Sequence, residues 1–95
     1  MKIELDGGRI STEMDFHKTL AKALDVEEFY GFNYDALWDL LSGSVERPIT
    51  LIWKNSHASK ENMGSAFDTI IDILKQVRNQ DEKSGWKDKF DFILD

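Results

Sequence analysis

Three short stretches of the chain show the apolar pattern of β-strands. Lys2 to Leu5 alternates polar and apolar residues and runs into the turn signal Asp6-Gly7-Gly8, which is typical of a strand. After Pro48, residues 49–53 form a nearly continuous β-branched and apolar run, as in a central strand that is buried on both faces of a parallel sheet. Residues 90–94 predict a third strand.

The apolar residues between these strands recur at helical spacing. A first helix, capped by Ser11 or Thr12, should stop near Asp25. Residues 56–63 predict a short third helix, and Ser65 opens a fourth with one continuous apolar face. That face is formed by Phe67, Ile70, Ile71, Leu74 and Val77.

The order of these elements predicts the fold class. Three strands joined by helical crossovers indicate a small α/β domain, with a three-stranded parallel sheet packed by about four helices. A chain of 95 residues has the length of one domain, so residues 1–95 are expected to form a single unit. The polar segment from Gln80 to Lys89, with Trp86 in it, is expected to be a long loop.

The second helix, residues 33–43, has two contrasting faces. Asn33 is a good N-cap, and the helix should run to about Ser42 with Gly43 at the C′ position. On a wheel of ~100° per residue, one side is formed by Tyr34, Leu37, Leu40 and Leu41. We expect this side to face the core.

The opposite side of this helix carries Asp35 and Asp39 one turn apart, with Ser42 and the indole of Trp38 beside them. Two carboxylates at this spacing repel by a few tenths of a kcal/mol. The helix dipole favours Asp35 in the first turn but does little for Asp39. An aromatic residue beside charged groups has the composition of an interface hot spot. A solvated face with Trp38 folded against the core edge remains the alternative.

The charge of the chain indicates the kind of partner to expect. Twelve Lys and Arg against eighteen Asp and Glu give a net charge of −6, which argues against nucleic-acid binding and favours a basic partner. Six carboxylates lie in a stretch without Lys or Arg: Asp25, Glu27, Glu28, Asp35, Asp39 and Glu46. The alternative is an acidic surface kept for solubility.

Other features limit the location and the cofactors. The first ten residues lack the apolar core of a signal peptide, and no stretch approaches the ~18 apolar residues that span a bilayer. The chain has no cysteine, so disulfides and thiolate metal sites are excluded. We therefore expect a cytoplasmic protein that is a monomer when free, without a cofactor and without a membrane partner.

Catalytic alternatives can be weighed on individual residues. Asp35 and Asp39 could form an acid/base pair or bind Mg²⁺, but they would share an exposed face without walls to exclude water. His17 and His57 have no partner at the level of a motif and are expected to lie at the surface. Trp53 is expected in the strand core and Trp86 in loop packing. No residue emerges as catalytic.

The block around the second helix resembles the barstar family. Its signature is retained in Tyr30-Gly31-Phe32-Asn33-Tyr34-Asp35-Ala36-Leu37-Trp38-Asp39, followed by Gly43. The likeness extends more weakly over most of the chain and is poorest from Asn79 to Lys89. It implies an inhibitor that inserts this helix into the active site of a basic barnase-like ribonuclease, in a one-to-one complex.

The resemblance also implies roles for individual residues. The aspartate at the position of Asp39 takes the phosphate-binding place among basic side chains, and the one at Asp35 pairs nearby. Contact roles carry over to Asn33, Trp38 and Gly43, where the residue type is retained.

Three further contact positions depart from the family. Phe29 stands where the family has a tyrosine, Ser44 where it has a tryptophan, and Gln76 where it has a glutamate. These changes leave the identity of the nuclease open. A small hydrolase or metal-binding domain that uses the Asp35/Asp39 face remains the alternative function.

Overall fold

Two helices lie between each strand and the next in the computed structural model, which describes all 95 residues. The strands are β1 (Lys2–Asp6), β2 (Ile49–Lys54) and β3 (Phe90–Leu94), and the helices are α1 (Glu13–Leu24), α2 (Tyr34–Asp39), α3 (Ser56–Met63) and α4 (Ser65–Lys83). A 3₁₀ turn, Gly7–Arg9, follows β1, and a π-helical turn, Leu40–Ser44, continues α2. The predicted fold class is confirmed.

The sheet has the order β1-β2-β3, with both pairs of strands parallel. The register aligns Ile3 with Leu51 and Leu51 with Phe92, and all three side chains are buried. Residues in register point to the same side of a sheet. These buried side chains therefore mark one face, and the helices cover that face only.

The prediction that β2 is buried on both faces is therefore wrong. Ile49, Leu51 and Trp53 are 0% exposed, but Thr50 and Ile52 on the other face are only partly buried. An apolar run of this kind does not reveal by itself whether a second layer covers the sheet.

The core is one cluster of 21 buried residues, among which Trp53 is the largest fully buried side chain. The Trp53 ring lies 5.0 Å from the ring of Phe16 in α1 and 5.0 Å from that of Phe67 in α4. Its Nε1–H donates to Ser59 Oγ at 3.0 Å, and Ser59 donates to Gly7 O at 2.8 Å. A Cβ on Gly7 would lie 2.3 Å from Lys54 O, so this close approach requires glycine. As predicted, Trp53 belongs to the core.

The helix ends follow the sequence signals closely. Thr12 caps α1 by accepting a hydrogen bond from Asp15 N at 3.0 Å, and α1 ends at Asp25 in the left-handed conformation. Gly64, at φ +59°, ends α3. None of the helices combines the length and the apolar character that crossing a bilayer requires.

The predicted loop from Gln80 to Lys89 is shorter than expected, because α4 continues to Lys83. Asp81, 0% exposed, accepts hydrogen bonds from Arg47 Nε at 2.9 Å and Nη2 at 3.1 Å, and from Phe90 N at 2.7 Å. These partners let a charged residue occupy the buried side of the last helical turns. Trp86 lies in the remaining loop, half-exposed, under the Arg47 guanidinium.

Removing the Asp81 carboxylate should destabilise the fold strongly. Asp81→Ala leaves the Arg47 guanidinium and the Phe90 N–H without their acceptor, and we expect a loss of roughly 3–5 kcal/mol in the free energy of unfolding. Asp72→Ala removes an exposed, unpaired carboxylate from the same helix and should change it by less than about 0.5 kcal/mol. Urea denaturation measures the free energy of unfolding of both variants. Equal losses would contradict the stabilising role assigned to Asp81.

The same pair should appear in the pH dependence of stability. Burial acts to raise the pKa of Asp81, but the hydrogen bonds from Arg47 and Phe90 and the charge of Arg47 outweigh it and lower that pKa below its usual value. A carboxyl whose pKa is lower in the folded state stabilises above its unfolded pKa of about 4, and this stabilisation is lost at lower pH. The parent should therefore lose more stability than Asp81→Ala as the pH falls below about 4.

Candidate functional site

Apart from Gln76, the site residues predicted from the sequence lie on residues 29–44, which we call the α2 segment. It comprises a connecting loop, α2 and the π-helical turn. Asn33 has an extended backbone, and its Oδ1 accepts a hydrogen bond from Ala36 N at 2.8 Å. The predicted N-cap is confirmed, and it fixes where the helix begins.

The end of the segment differs from the prediction. The chain widens into a π-helical turn from Leu40 to Ser44 and leaves it in an extended conformation at Val45. Gly43 lies inside this turn and has no positive φ, so the prediction that it is a C′ glycine is wrong. A π-helix forms its backbone hydrogen bonds between residues five apart, and Asp39 and Ser44, which lie just before this turn and at its end, line the same groove.

Burial separates the two faces of the segment as the wheel predicted. Leu37, Leu40 and Leu41 are at most 5% exposed. Asp35 and Asp39 are exposed on the opposite side, and Ser42 is half-buried. Trp38 packs against the edge of the core, as the solvated-face alternative expects, and part of its side chain is exposed.

A groove of about 310 Å³ brings three of the predicted site residues together. Its lining consists of Phe29, Tyr30, Gly31, Ala36, Asp39, Leu40 and Ser44. Phe29 is the most exposed large apolar side chain of the chain, at 70%, and it also borders a depression of about 430 Å³ lined by Asp25, Glu27 and Glu28. An exposed ring therefore stands between two openings edged with carboxylates.

Gln76 lies apart from this groove. It is exposed on α4 and lines a separate polar depression of about 460 Å³ together with Asn79, Gln80, Lys83 and Ser84. α4 packs against α2, so Gln76 lies on a neighbouring element, in a depression lined by carboxamides, a hydroxyl and a cation.

The carboxylates of the acidic stretch have no cationic partners within the chain. Asp25, Glu27, Glu28, Asp35, Asp39 and Glu46 are all exposed, and none of them is in an ion pair. No group of three or more His, Asp or Glu side chains is placed to hold a metal ion. This surface offers negative charge that the fold itself does not neutralise.

His17 corrects an expectation from the sequence. It was predicted at the surface, yet it is 0% exposed, whereas His57 is exposed as predicted. His17 Nδ1 lies 2.6 Å from the Tyr30 hydroxyl, and Nε2 lies 2.9 Å from Glu13 Oε2. The sequence held a signal for this, because His17 falls between Phe16 and Ala21 on the apolar arc of α1.

Glu13 affects the pKa of both tyrosines at the start of the α2 segment. Burial and the negative charge of Glu13 raise the pKa of Tyr30 above its usual range. Burial and the same carboxylate raise the pKa of Tyr34. Both hydroxyls therefore keep their protons at neutral pH.

Between these tyrosines, Phe32 has a left-handed backbone with φ +54°. A bulky residue rarely adopts this region, at a cost of about 1–3 kcal/mol. Its ring packs 5.2 Å from that of Tyr30 and against the core. The loop is held in a conformation that its own backbone does not favour.

The fold and the site define a small α/β protein that presents an unpaired acidic helix to solvent. Residues 1–93 match the model of the family described as "Barstar (barnase inhibitor)". The chain is 34% identical over 94 residues to the protein named "Putative ribonuclease inhibitor YrdF" of Bacillus subtilis (strain 168), an alignment that covers 99% of this chain and 98% of that protein. The chain belongs to the barstar family.

The cap at Asn33 can be tested independently of any partner. Asn33→Ala removes the acceptor for Ala36 N and should lower the free energy of unfolding by about 1 kcal/mol. Asn33→Ser keeps a capping oxygen and should retain most of the parental stability. Thermal unfolding of the two variants measures the difference; equal losses would contradict the capping role.

Proposed function

We propose that this protein inhibits a barnase-like ribonuclease in a one-to-one complex, by placing the α2 segment in the active site of the nuclease. One observation carries the proposal: Asp35 and Asp39 are exposed, unpaired and held one turn apart on a helix whose other face is buried. Membership of the barstar family and the name of the Bacillus subtilis relative support it.

The proposed mechanism is charge mimicry. A ribonuclease holds the phosphates of its substrate with cationic side chains, because phosphate contacts dominate nucleic-acid binding. Asp39 at the edge of the groove would take the place of a phosphate, with Asp35 pairing nearby. The carboxylate forms strong charge-assisted hydrogen bonds with Arg, which are bidentate in the best geometry. The rest of the acidic surface speeds the encounter with a basic enzyme.

The remaining contacts of the proposed interface surround these carboxylates. Trp38 would supply large, rigid area at the interface, where Trp is a frequent anchor. Asn33, Ser42 and Gly43 would contribute polar and backbone groups close to the enzyme. A protein inhibitor of this kind needs no cofactor and performs no chemistry on RNA.

Specificity should depend on the positions that differ from the family. Phe29 and Ser44 lie at the same groove as Asp39, and they offer one hydroxyl and one aromatic ring fewer than the family contacts. Gln76 has no charge. We propose that the natural target is a ribonuclease other than barnase, and that barnase itself binds more weakly. The cytoplasmic location and the monomeric free state stay predictions.

Inhibition can be measured by titrating the protein into a panel of barnase-like ribonucleases. We expect activity to fall to zero at a one-to-one ratio for at least one enzyme, and the protein alone to release no product from RNA. Nuclease activity that persists across the panel would refute the inhibitor proposal. Turnover by the protein alone, or stoichiometric metal binding, would instead favour the alternative that Asp35 and Asp39 form a hydrolase or metal site.

Asp39→Ala separates a binding surface from a solvated one. Losing the partner of buried cations should weaken the complex by roughly 2–5 kcal/mol or more, mainly through faster dissociation, a range that reflects charge pairs of barnase–barstar complexes themselves. Stability should change by no more than about 0.5 kcal/mol, because Asp39 is exposed and unpaired. Stopped-flow kinetics with the inhibited nuclease, together with thermal unfolding, measure both quantities.

Two control variants separate the effects of Asp39→Ala on folding and on binding. Leu37→Ala, at a position that is 0% exposed, should cost about 2–5 kcal/mol of folding stability. Glu61→Ala removes an exposed carboxylate from α3 and should leave both stability and dissociation close to the parental values. If Asp39→Ala binds as tightly as the parent, the charge mimicry proposed here is wrong.

A further inference from the structure

A chain of polar groups, buried at His17 and Tyr30 and partly exposed at Glu13, connects α1 to the loop that leads into α2. The His17 ring lies between two tyrosines, with centroid distances of 5.6 Å to Tyr30 and 6.1 Å to Tyr34. Tyr30 lies near the start of the connecting loop, and Tyr34 is the first residue of α2. Glu13 lies one turn before His17 and holds its Nε2 at 2.9 Å.

The donors and acceptors of this chain have a defined direction. A carboxylate accepts and does not donate, so His17 Nε2 carries a proton and donates it to Glu13. In the neutral ring, Nδ1 is then the acceptor, and the Tyr30 hydroxyl donates to it at 2.6 Å. The raised pKa of Tyr30 keeps this donor protonated. Each polar group of this network has a hydrogen-bond partner, and no buried side-chain polar atom of the protein is left without one.

The loop between the tyrosines needs such support. Phe32 has φ +54°, a conformation that persists only where the surroundings hold it in place. The loop also packs tightly on α2, because a Cβ on Gly31 would lie 3.0 Å from Ala36 Cβ. Releasing Tyr30 would therefore let the loop relax away from the helix and move the groove.

We propose that Glu13 and His17 are positioning residues for binding, which hold the α2 segment in its binding geometry through Tyr30. The inference rests on the proposed function for its binding consequence. Phe29 and Asp39, which share the groove with Tyr30, are the groups whose placement depends on the network.

The Tyr30 hydroxyl gives a clean way to test a positioning role. Tyr30 is 6% exposed, and its hydroxyl hydrogen-bonds in the interior, so a nuclease does not reach it. Tyr30→Phe keeps the ring and removes only this oxygen. Ser59→Ala is the matched control, because it also removes a buried hydroxyl, whose hydrogen bonds to Trp53 and Gly7 lie outside the α2 segment.

The first experiment uses the free protein and no nuclease. Hydrogen exchange is followed at the amides of Ala36 and Leu37, which are hydrogen-bonded to Asn33. Relative to the parent, Tyr30→Phe should raise these rates roughly threefold to tenfold, the effect of losing one buried hydrogen bond. Ser59→Ala should change them less than about twofold. Equal rates in the two variants would overturn the inference whatever the nuclease data show.

The second experiment uses barnase as the probe and measures dissociation. Tyr30→Phe and Glu13→Ala should dissociate roughly threefold to tenfold faster than the parent. Ser59→Ala and Glu13→Gln should stay within about twofold of it, because the glutamine carbonyl still accepts from His17 Nε2. This rescue separates the network from a loss of charge or of global stability.

The two experiments fail in different ways. If the parent does not bind barnase or any enzyme of the panel, the proposed function fails, and the exchange rates alone decide whether the network holds the segment. If the parent binds and Tyr30→Phe dissociates at the parental rate, the positioning role is refuted while the inhibitor proposal stands.

Discussion

Burial of the leucine face of α2 is the constraint on which the acidic surface depends. A helix that commits Leu37, Leu40 and Leu41 to the core has to present its other side to water. Asp35 and Asp39 are on that side, so their exposure follows from packing and not from any interaction of their own. No Lys or Arg pairs with these two carboxylates. The packing of the hydrophobic core therefore determines where their negative charge is exposed.

Polar contacts in the interior hold this helix in place at both ends. At its start, Tyr30 is tied to α1 through His17. At its end, Arg47 donates to Val45 O at 2.9 Å and to the buried Asp81 of α4. The His17–Tyr30 and Arg47–Asp81 contacts join residues 13 and 34 positions apart in sequence. Each would cost stability if one member were lost, because the other would remain buried without a partner. The segment is a helix clamped at two points, which limits the entropy that binding has to remove.

A clamped acidic helix suits the inhibition of an enzyme that binds phosphates. Charges held on a rigid scaffold lose little freedom on association, and their field accelerates the approach of a basic partner. The neighbouring apolar groove and the exposed ring of Phe29 add area that carries no charge. Charge would then set the class of partner, whereas Phe29 and Ser44 would distinguish between its members, since discrimination is a difference between affinities.

The sequence alone determined the order of strands and helices, the Asn33 cap and the outward face of α2, and it narrowed the cap of α1 to Ser11 or Thr12. Periodicity and capping are local properties that can be read along the chain. Tertiary structure decided the rest. His17 looked like a surface residue and Asp81 like part of a loop, because the partners that bury them are supplied by other elements of the fold. The π-helical turn and the open face of β2 were likewise not visible, since both depend on which elements pack against them and not on the residues they contain.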